Sequence, residues 1–446
     1  MTATQQLAEL IIKTQGDSLP QWVFHESKRT LVNILGIGIS ASTAVPVWAL
    51  NDWAKAEGAS SRATVMASGL RTSPTNAALV NGYMAHLQDY DDTHFPSVLH
   101  PTAPVWPAVF ALAEDIGASG RDALAAFAIG AEVACRIAMS VHPWHYDAGW
   151  HITGTAGVFG AVAGAGWLLG LSVDQLINAF GAGGTQAAGV REVFGSDSKA
   201  MHPAKAASNG LQAVMLAKAG FTGPDDIIGG RRGFWAVLSS SGHDAAQLLG
   251  MWGERWELAN NGLKPYANGV VSHPIQDAVI KLRNEHNLVP ENVAAINAKV
   301  HPLVLELMNR SDPRRGLEGK FSFQHCAAAA LVDGAGHDAQ FSDAKVLDPT
   351  IAKLRGKVTA EIDQSMSEDS VRVAITLTDG NVIETYVEHA TGSPENPMSD
   401  EALEAKYSAL AGEVVGQAQA NELLSAVWAL DGAKDVSQVA HLFTMG

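Results

Sequence analysis

The sequence predicts a mainly α fold, in which a large all-helical domain formed by both termini is interrupted by a smaller inserted α+β lid domain. Three observations predict it. Apolar residues recur at helical spacing from the N-terminus to about residue 260. Strand-like runs are confined to the stretch after Lys264-Pro265-Tyr266. Helical spacing then returns after Pro394 and Pro397. The boundaries read as helical 1–263, α+β 264–395 and helical return 396–446. With 446 residues, 47% of them hydrophobic, the chain can bury a sizeable core, which excludes wholesale disorder.

In order, Ser73-Pro74 reads as a cap and first-turn proline, and Ala77, Val80, Met84 and Leu87 follow at three-to-four spacing. The uncharged stretch Ile152 to Val173 is long enough to span a bilayer, but it is rich in Gly and Ala. It reads as a buried helix whose Gly157, Gly160, Gly164 and Gly166 let neighbouring backbones approach closely. Helices follow over Ser172–Phe180 and Ala204–Ala219. In the inserted part, His273–Asn284 and Phe323–Val332 are helical, and Val293–Val300 and Ser370–Leu377 are strands. An Asp379-Gly380 turn leads to a returning strand, Val382–Val387. Ser399 caps the return to helix.

The formal charge of −16 argues against nucleic acid and anionic membrane as partners. An anionic small molecule must therefore meet a local knot of Lys, Arg and His. Two cysteines, Cys135 and Cys326, cannot build a disulfide framework or a four-thiolate metal site. The opening MTATQQLAEL lacks a signal-peptide pattern, so the expected location is cytoplasmic. Gly164-Ala-Gly166 and Gly181-Ala-Gly-Gly184 follow no strand, which excludes a dinucleotide fingerprint. His142, His145 and His151, like Asp91 to His94, lack zincin or calcium-loop spacing. No metal is expected, and His142 and His145 read as a solvated loop.

Two clusters carry chemistry. Between His86 and His100 lie Asp89, Asp91, Asp92, Thr93 and His94, and Asp89 and Thr93 share a face if the helix persists. Crowded acids and imidazoles push pKa values apart, as acid–base work requires. The second cluster, Arg191, Lys199, His202 and Lys205, offers an anion its positive groups. Lys264 and Tyr266 sit at the domain junction, and His325 lies in an apolar helix, where a histidine is ordinarily core.

Taken in order, these stretches resemble the MmgE/PrpD family. The resemblance rests on Asn81-Gly-Tyr-Met-Ala-His86 through Thr93, His100-Pro101, Gly130-Ala-Glu-Val133, His151 and its Gly/Ala helix. It continues through Ser198-Lys199-Ala-Met-His202-Pro-Ala-Lys205-Ala, Lys264-Pro-Tyr266, Phe321-Ser-Phe-Gln-His325 and Asn396-Pro-Met-Ser399. It implies a homodimer, a pocket between the domains, small di- or tricarboxylate substrates, and no metal or organic cofactor. Carried over by position, the pocket falls on Asp89, Thr93, His100, His151, Lys199 and Lys264. Decarboxylase-like members carry a histidine where this chain has Gly269, and a tyrosine where it has His325.

That changed pair points to a cofactor-independent epimerase of an amino-linked, iminodisuccinate-like dicarboxylate, and raises His325 to a site candidate. Asp89, His100, His151, Lys199 and His325 would be catalytic, and Thr93, Arg191, His202, Lys264 and Tyr266 substrate-binding. The alternatives are a family lyase, dehydrating or decarboxylating a tricarboxylate, and a carboxylate-binding scaffold without turnover.

Overall fold

The computed structural model describes residues 1–443 and is mainly helical, in two compact units. The larger comprises residues 1–87, 91–261 and the chain from Ser399 on; the smaller comprises Gln88–Tyr90 and Gly262–Met398.

At the centre of the larger unit lies the Ile152–Leu168 helix, buried on all sides through Gly166. It packs against Gly120–Val141, Thr102–Ile116, Val173–Gly184 and Met201–Lys218. Small residues make this possible. A Cβ on Gly160 would lie 2.7 Å from the Gly130 carbonyl oxygen, and one on Gly164 2.7 Å from that of Ala126. The backbones themselves are thus in contact, and side chains of any size would force the helices apart. Gly82 plays the same part between Pro74–Leu87 and Met201–Lys218, where its Cβ would meet Ala204 Cα at 3.1 Å. The C-terminal helix Asp400–Val415 lies on Gln21–Ala41, with Gly36 against Tyr407 and Lys406 Nζ donating to Asn33 Oδ1 at 2.6 Å.

A buried ion pair braces this unit. Arg136 Nε donates to Glu132 Oε1 at 2.6 Å, and its Nη1 donates to the Gly250 carbonyl at 2.6 Å. The other Glu132 oxygen accepts from the Glu257 N–H at 2.6 Å. An irregular stretch is thereby fixed by side chains where backbone ladders are lacking.

In the smaller unit four strands stand in the order Val358–Ile362, Val293–Val300, Val371–Leu377, Val382–Val387. The first pair is parallel and the other two antiparallel. Gly380, at φ +89°, forms the turn of the last hairpin, as Asp379-Gly380 predicts. Sequence reading misses Val358–Ile362. It is a five-residue strand with only Val358 buried, too short and too polar for a period-2 signal. Helices His273–His286 and Phe323–Asp333 pack on one another in this unit.

One expectation fails at the first cluster. The Pro74–Leu87 helix stops at Leu87, and Asp89 takes a left-handed φ of +52°. Asp89 and Thr93 therefore share no helix face. Lysines of the smaller unit explain the break. Lys264 Nζ donates to the Asp89 carbonyl at 3.0 Å and to its Oδ1 at 2.8 Å, and Lys320 Nζ donates to the Gln88 carbonyl at 2.6 Å. Tyr90 adds a bond to the Pro265 carbonyl at 2.7 Å. Carbonyls that a continuing helix would use are bonded instead to buried cations.

Candidate active site

The larger unit gathers four imidazoles and one ammonium at the ends of helices. His86 closes Pro74–Leu87, His100 precedes Thr102–Ile116, and His151 caps Ile152–Leu168. Lys199 lies in the turn Asp197–Ala200, and His202 begins the Met201–Lys218 helix. Ring centroids are 4.8 Å apart for His86 and His100, 5.7 Å for His86 and His151, and 5.1 Å for His151 and His202. His86, His100, His151, Lys199 and Thr93 are all buried. Gly189, at φ +137°, leaves room for the His202 ring. A Cβ there would sit 3.0 Å from it, and the Gly189 carbonyl accepts from the His151 N–H.

Each ring is oriented at Nδ1. His100 Nδ1 donates to the Asp92 carbonyl at 2.6 Å, so neutral His100 takes a proton at Nε2. Thr93 Oγ1 is 3.3 Å from the same Nδ1, which makes it a partner of His100. His86 Nδ1 bonds Asp91 Oδ2 at 2.7 Å, both side chains being buried. His151 Nδ1 and His202 Nδ1 are 2.8 Å apart, so one proton is shared between them. Burial pushes His151 well below the usual histidine range, helped by Lys199 and by the neighbouring imidazoles. Burial first, then His86 and Lys199, pushes His202 down to about 4. Asp92 moves the other way. Burial and the adjacent Asp91 raise it to about 7, against hydrogen bonds from Thr102 and Asn261. A set of oriented imidazoles beside a buried lysine results, with His151 and His202 held neutral by burial, suited to moving protons next to a carboxylate.

Several expected assignments change. Lys199 is buried, only 7% exposed, with Nζ 5.3 Å from the Phe194 ring centre. Arg191 lies over the Tyr146 ring at 4.0 Å and donates to the Tyr146 carbonyl at 3.0 Å. His145 is fully buried, bonded to the Leu238 carbonyl and Thr155 and stacked on Trp150. The solvated-loop reading fails there because aromatic neighbours enclose the ring. Sequence reasoning passed over His86, Asp91 and Asp92 as site residues. Their proximity to His100 was visible, but not which carboxylate would reach which ring.

In the smaller unit Lys264 and Asp89 form a buried ion pair. Asp89 was expected to orient an imidazole or act as a second base; the carboxylate bonded to an imidazole here is Asp91. Tyr266 spends its hydroxyl on Asp277 Oδ1 at 2.5 Å, so its expected substrate contact gives way to a structural one. His325 is fully buried, its Nε2 donating to the Gln340 carbonyl at 2.9 Å and its ring against Phe341. Burial pushes it down to about 4, and its Nδ1 is buried without a hydrogen-bond partner. Gly269 lies against Met308, whose Sδ would be 2.3 Å from a Cβ at that position.

Comparison with known proteins identifies the family. The MmgE/PrpD N-terminal domain matches residues 5–246, and the MmgE/PrpD C-terminal domain matches residues 266–431. A cis-aconitate decarboxylase from Mus musculus is 27% identical, covering 99% of this chain and 93% of the relative. One from Homo sapiens is 26% identical, covering 98% and 94%. One from Aspergillus terreus is 28% identical, covering 85% and 83%. With both family domains matched in order around the oriented histidines, the chain belongs to the MmgE/PrpD family.

Proposed function

We propose that the chain is a lyase that decarboxylates a small unsaturated tricarboxylate of the cis-aconitate type. The relatives named above support the reaction class. The observation that carries the reading is the bond of 2.8 Å between His151 Nδ1 and His202 Nδ1, beside a buried lysine.

Decarboxylation leaves an electron pair on carbon, which must then take one proton. His151 delivers it from Nε2 and receives the shared proton from His202 at Nδ1. His202, only partly buried, takes a replacement from solvent at its own Nε2. One proton enters and one reaches carbon per CO2 released, and both rings end neutral with their tautomers exchanged, so a return to the starting tautomers precedes the next turnover. Lys199 stabilises charge spreading onto a neighbouring carboxylate as the C–C bond breaks. His100, its tautomer fixed by Asp92, is a second proton-carrying group. Loss of one such electrostatic donor typically costs about 2.7–4 kcal/mol of transition-state stabilisation.

A second reading, epimerisation of an amino-linked dicarboxylate, keeps one specific observation in its favour. The resemblance implies a histidine at position 269 in decarboxylase-like members, and here Met308 fills that space. Proton NMR in heavy water separates the two. With cis-aconitate, the lyase reading gives CO2 and a product bearing one solvent deuteron. Deuterium entering iminodisuccinate with its skeleton intact, and no CO2 from cis-aconitate, would overturn it.

A further inference from the structure

His86, His100 and His151 are separated by 14 and 51 residues, yet one ring nitrogen from each lies within 4.8 Å of the others. Each ring is held at Nδ1 by an outer group: Asp91 Oδ2 on His86 at 2.7 Å, the Asp92 carbonyl on His100 at 2.6 Å, and His202 on His151 at 2.8 Å. Such a layer of carboxylate, carbonyl or polar partners orients metal-binding histidines and raises their basicity. Three neutral imidazoles form a borderline-soft donor set, matched to Zn²⁺, Co²⁺ or Ni²⁺ and poorly to Mg²⁺ or Ca²⁺. Tetrahedral Zn–N bonds of about 2.0–2.1 Å put ligand nitrogens about 3.4 Å apart, so the widest pair must close by about 1.4 Å. Lys199 opposes a cation here, while the buried Asp91 carboxylate, which is also 4.0 Å from His100 Nδ1, favours one.

We propose that this trio takes up one Zn²⁺-class ion, with its fourth position open to water or a substrate carboxylate, and that the ion silences turnover by capturing His100 and His151. Binding stands on the geometry alone; only the inhibition rests on the lyase reading.

The test uses the full chain, stripped with EDTA and dialysed, titrated with Zn²⁺ by calorimetry and with Co²⁺ by visible absorption. One ion per chain should bind, with a Co²⁺ band of low-coordinate type that Zn²⁺ displaces. Asp91→Asn, which keeps the ligands but alters the outer layer, should weaken affinity about 10–100-fold. His151→Gln should abolish the band, and exposed His286→Gln should leave it unchanged. In the unmutated chain, Co²⁺ should shift the ring-proton NMR signals of the three histidines, which needs no variant to fold. Absence of a band at millimolar Co²⁺, or a band that survives His151→Gln, overturns the site. If the metal binds but the metal-free chain turns over no cis-aconitate, the site stands and the lyase reading falls; turnover of cis-aconitate by the metal-free chain that one equivalent of Zn²⁺ leaves unslowed overturns the inhibition.

Discussion

Replacing Lys199 by Met tests the electrostatic half of the mechanism. The ammonium sits on a residue only 7% exposed, so solvent screens it little. Met keeps an apolar stem against Phe194 and avoids the cavity that Ala would leave. The fold should lose the cation–π contact, about 2 kcal/mol at a desolvated site. Transition-state stabilisation should fall by about 2.7–4 kcal/mol, which is about a 10²–10³-fold loss of kcat/KM. A second readout needs no substrate. The Lys199 charge is one of the causes holding His202 and His151 low, so its removal should raise both titrations. Burial is the larger cause, so His202 should move up from about 4 and still stay below its ordinary 6.5. Steady-state kinetics and histidine ring-proton NMR across pH 3.5–7 would follow both. Turnover near the unmutated value, with His202 unmoved and the fold intact, would refute the placement of Lys199 beside the proton-carrying rings.

Four further outcomes follow from contacts described above. His202→Gln keeps a donor beside His151 but cannot relay a proton, so single-turnover and steady-state rates should both fall at least about tenfold; rates near those of the unmutated chain would reduce His202 to a positioning role. Between pH 6.5 and about 4 the unfolded chain binds a proton that native His202 does not, so stability should drop as pH falls through that window. Urea unfolding at pH 5 and 7 should show a shallower drop in His202→Gln. Arg136→Met strands Glu132 in the core and should cost about 3–5 kcal/mol of stability by the same assay. Gly269→Ala should cost about 1–3 kcal/mol through its clash with Met308, with an unchanged melting temperature refuting the close contact.

Much of the secondary structure is local and was legible. The Val293–Val300 strand, the Asp379-Gly380 turn and the Ser73-Pro74 helix start are fixed by period, β-branching and turn chemistry within a few residues. The glycines at 160 and 164 announced close helix contacts because only backbone-to-backbone packing explains so many of them in an uncharged helix. The ordered motifs likewise carried the family, and the resemblance put His100, His151 and Lys199 in one pocket with Asp89, Thr93 and Lys264.

What the sequence could not determine is which polar atom meets which. Asp91 bonds the His86 imidazole, and Asp89 pairs with Lys264 where Lys264 and Lys320 bond the backbone carbonyls just past the helix end at Leu87. His325 was expected to be catalytic and Tyr266 to bind substrate, yet Gln340 takes up one ring nitrogen of His325 and Asp277 the hydroxyl of Tyr266. His86, His100 and His151 converge only through the packing of three helix ends, and burial there sets the protonation state of His151. Periodicity reports a residue's own element; hydrogen-bond partners and desolvation depend on chain segments tens to hundreds of residues away, and only the tertiary structure brings those together.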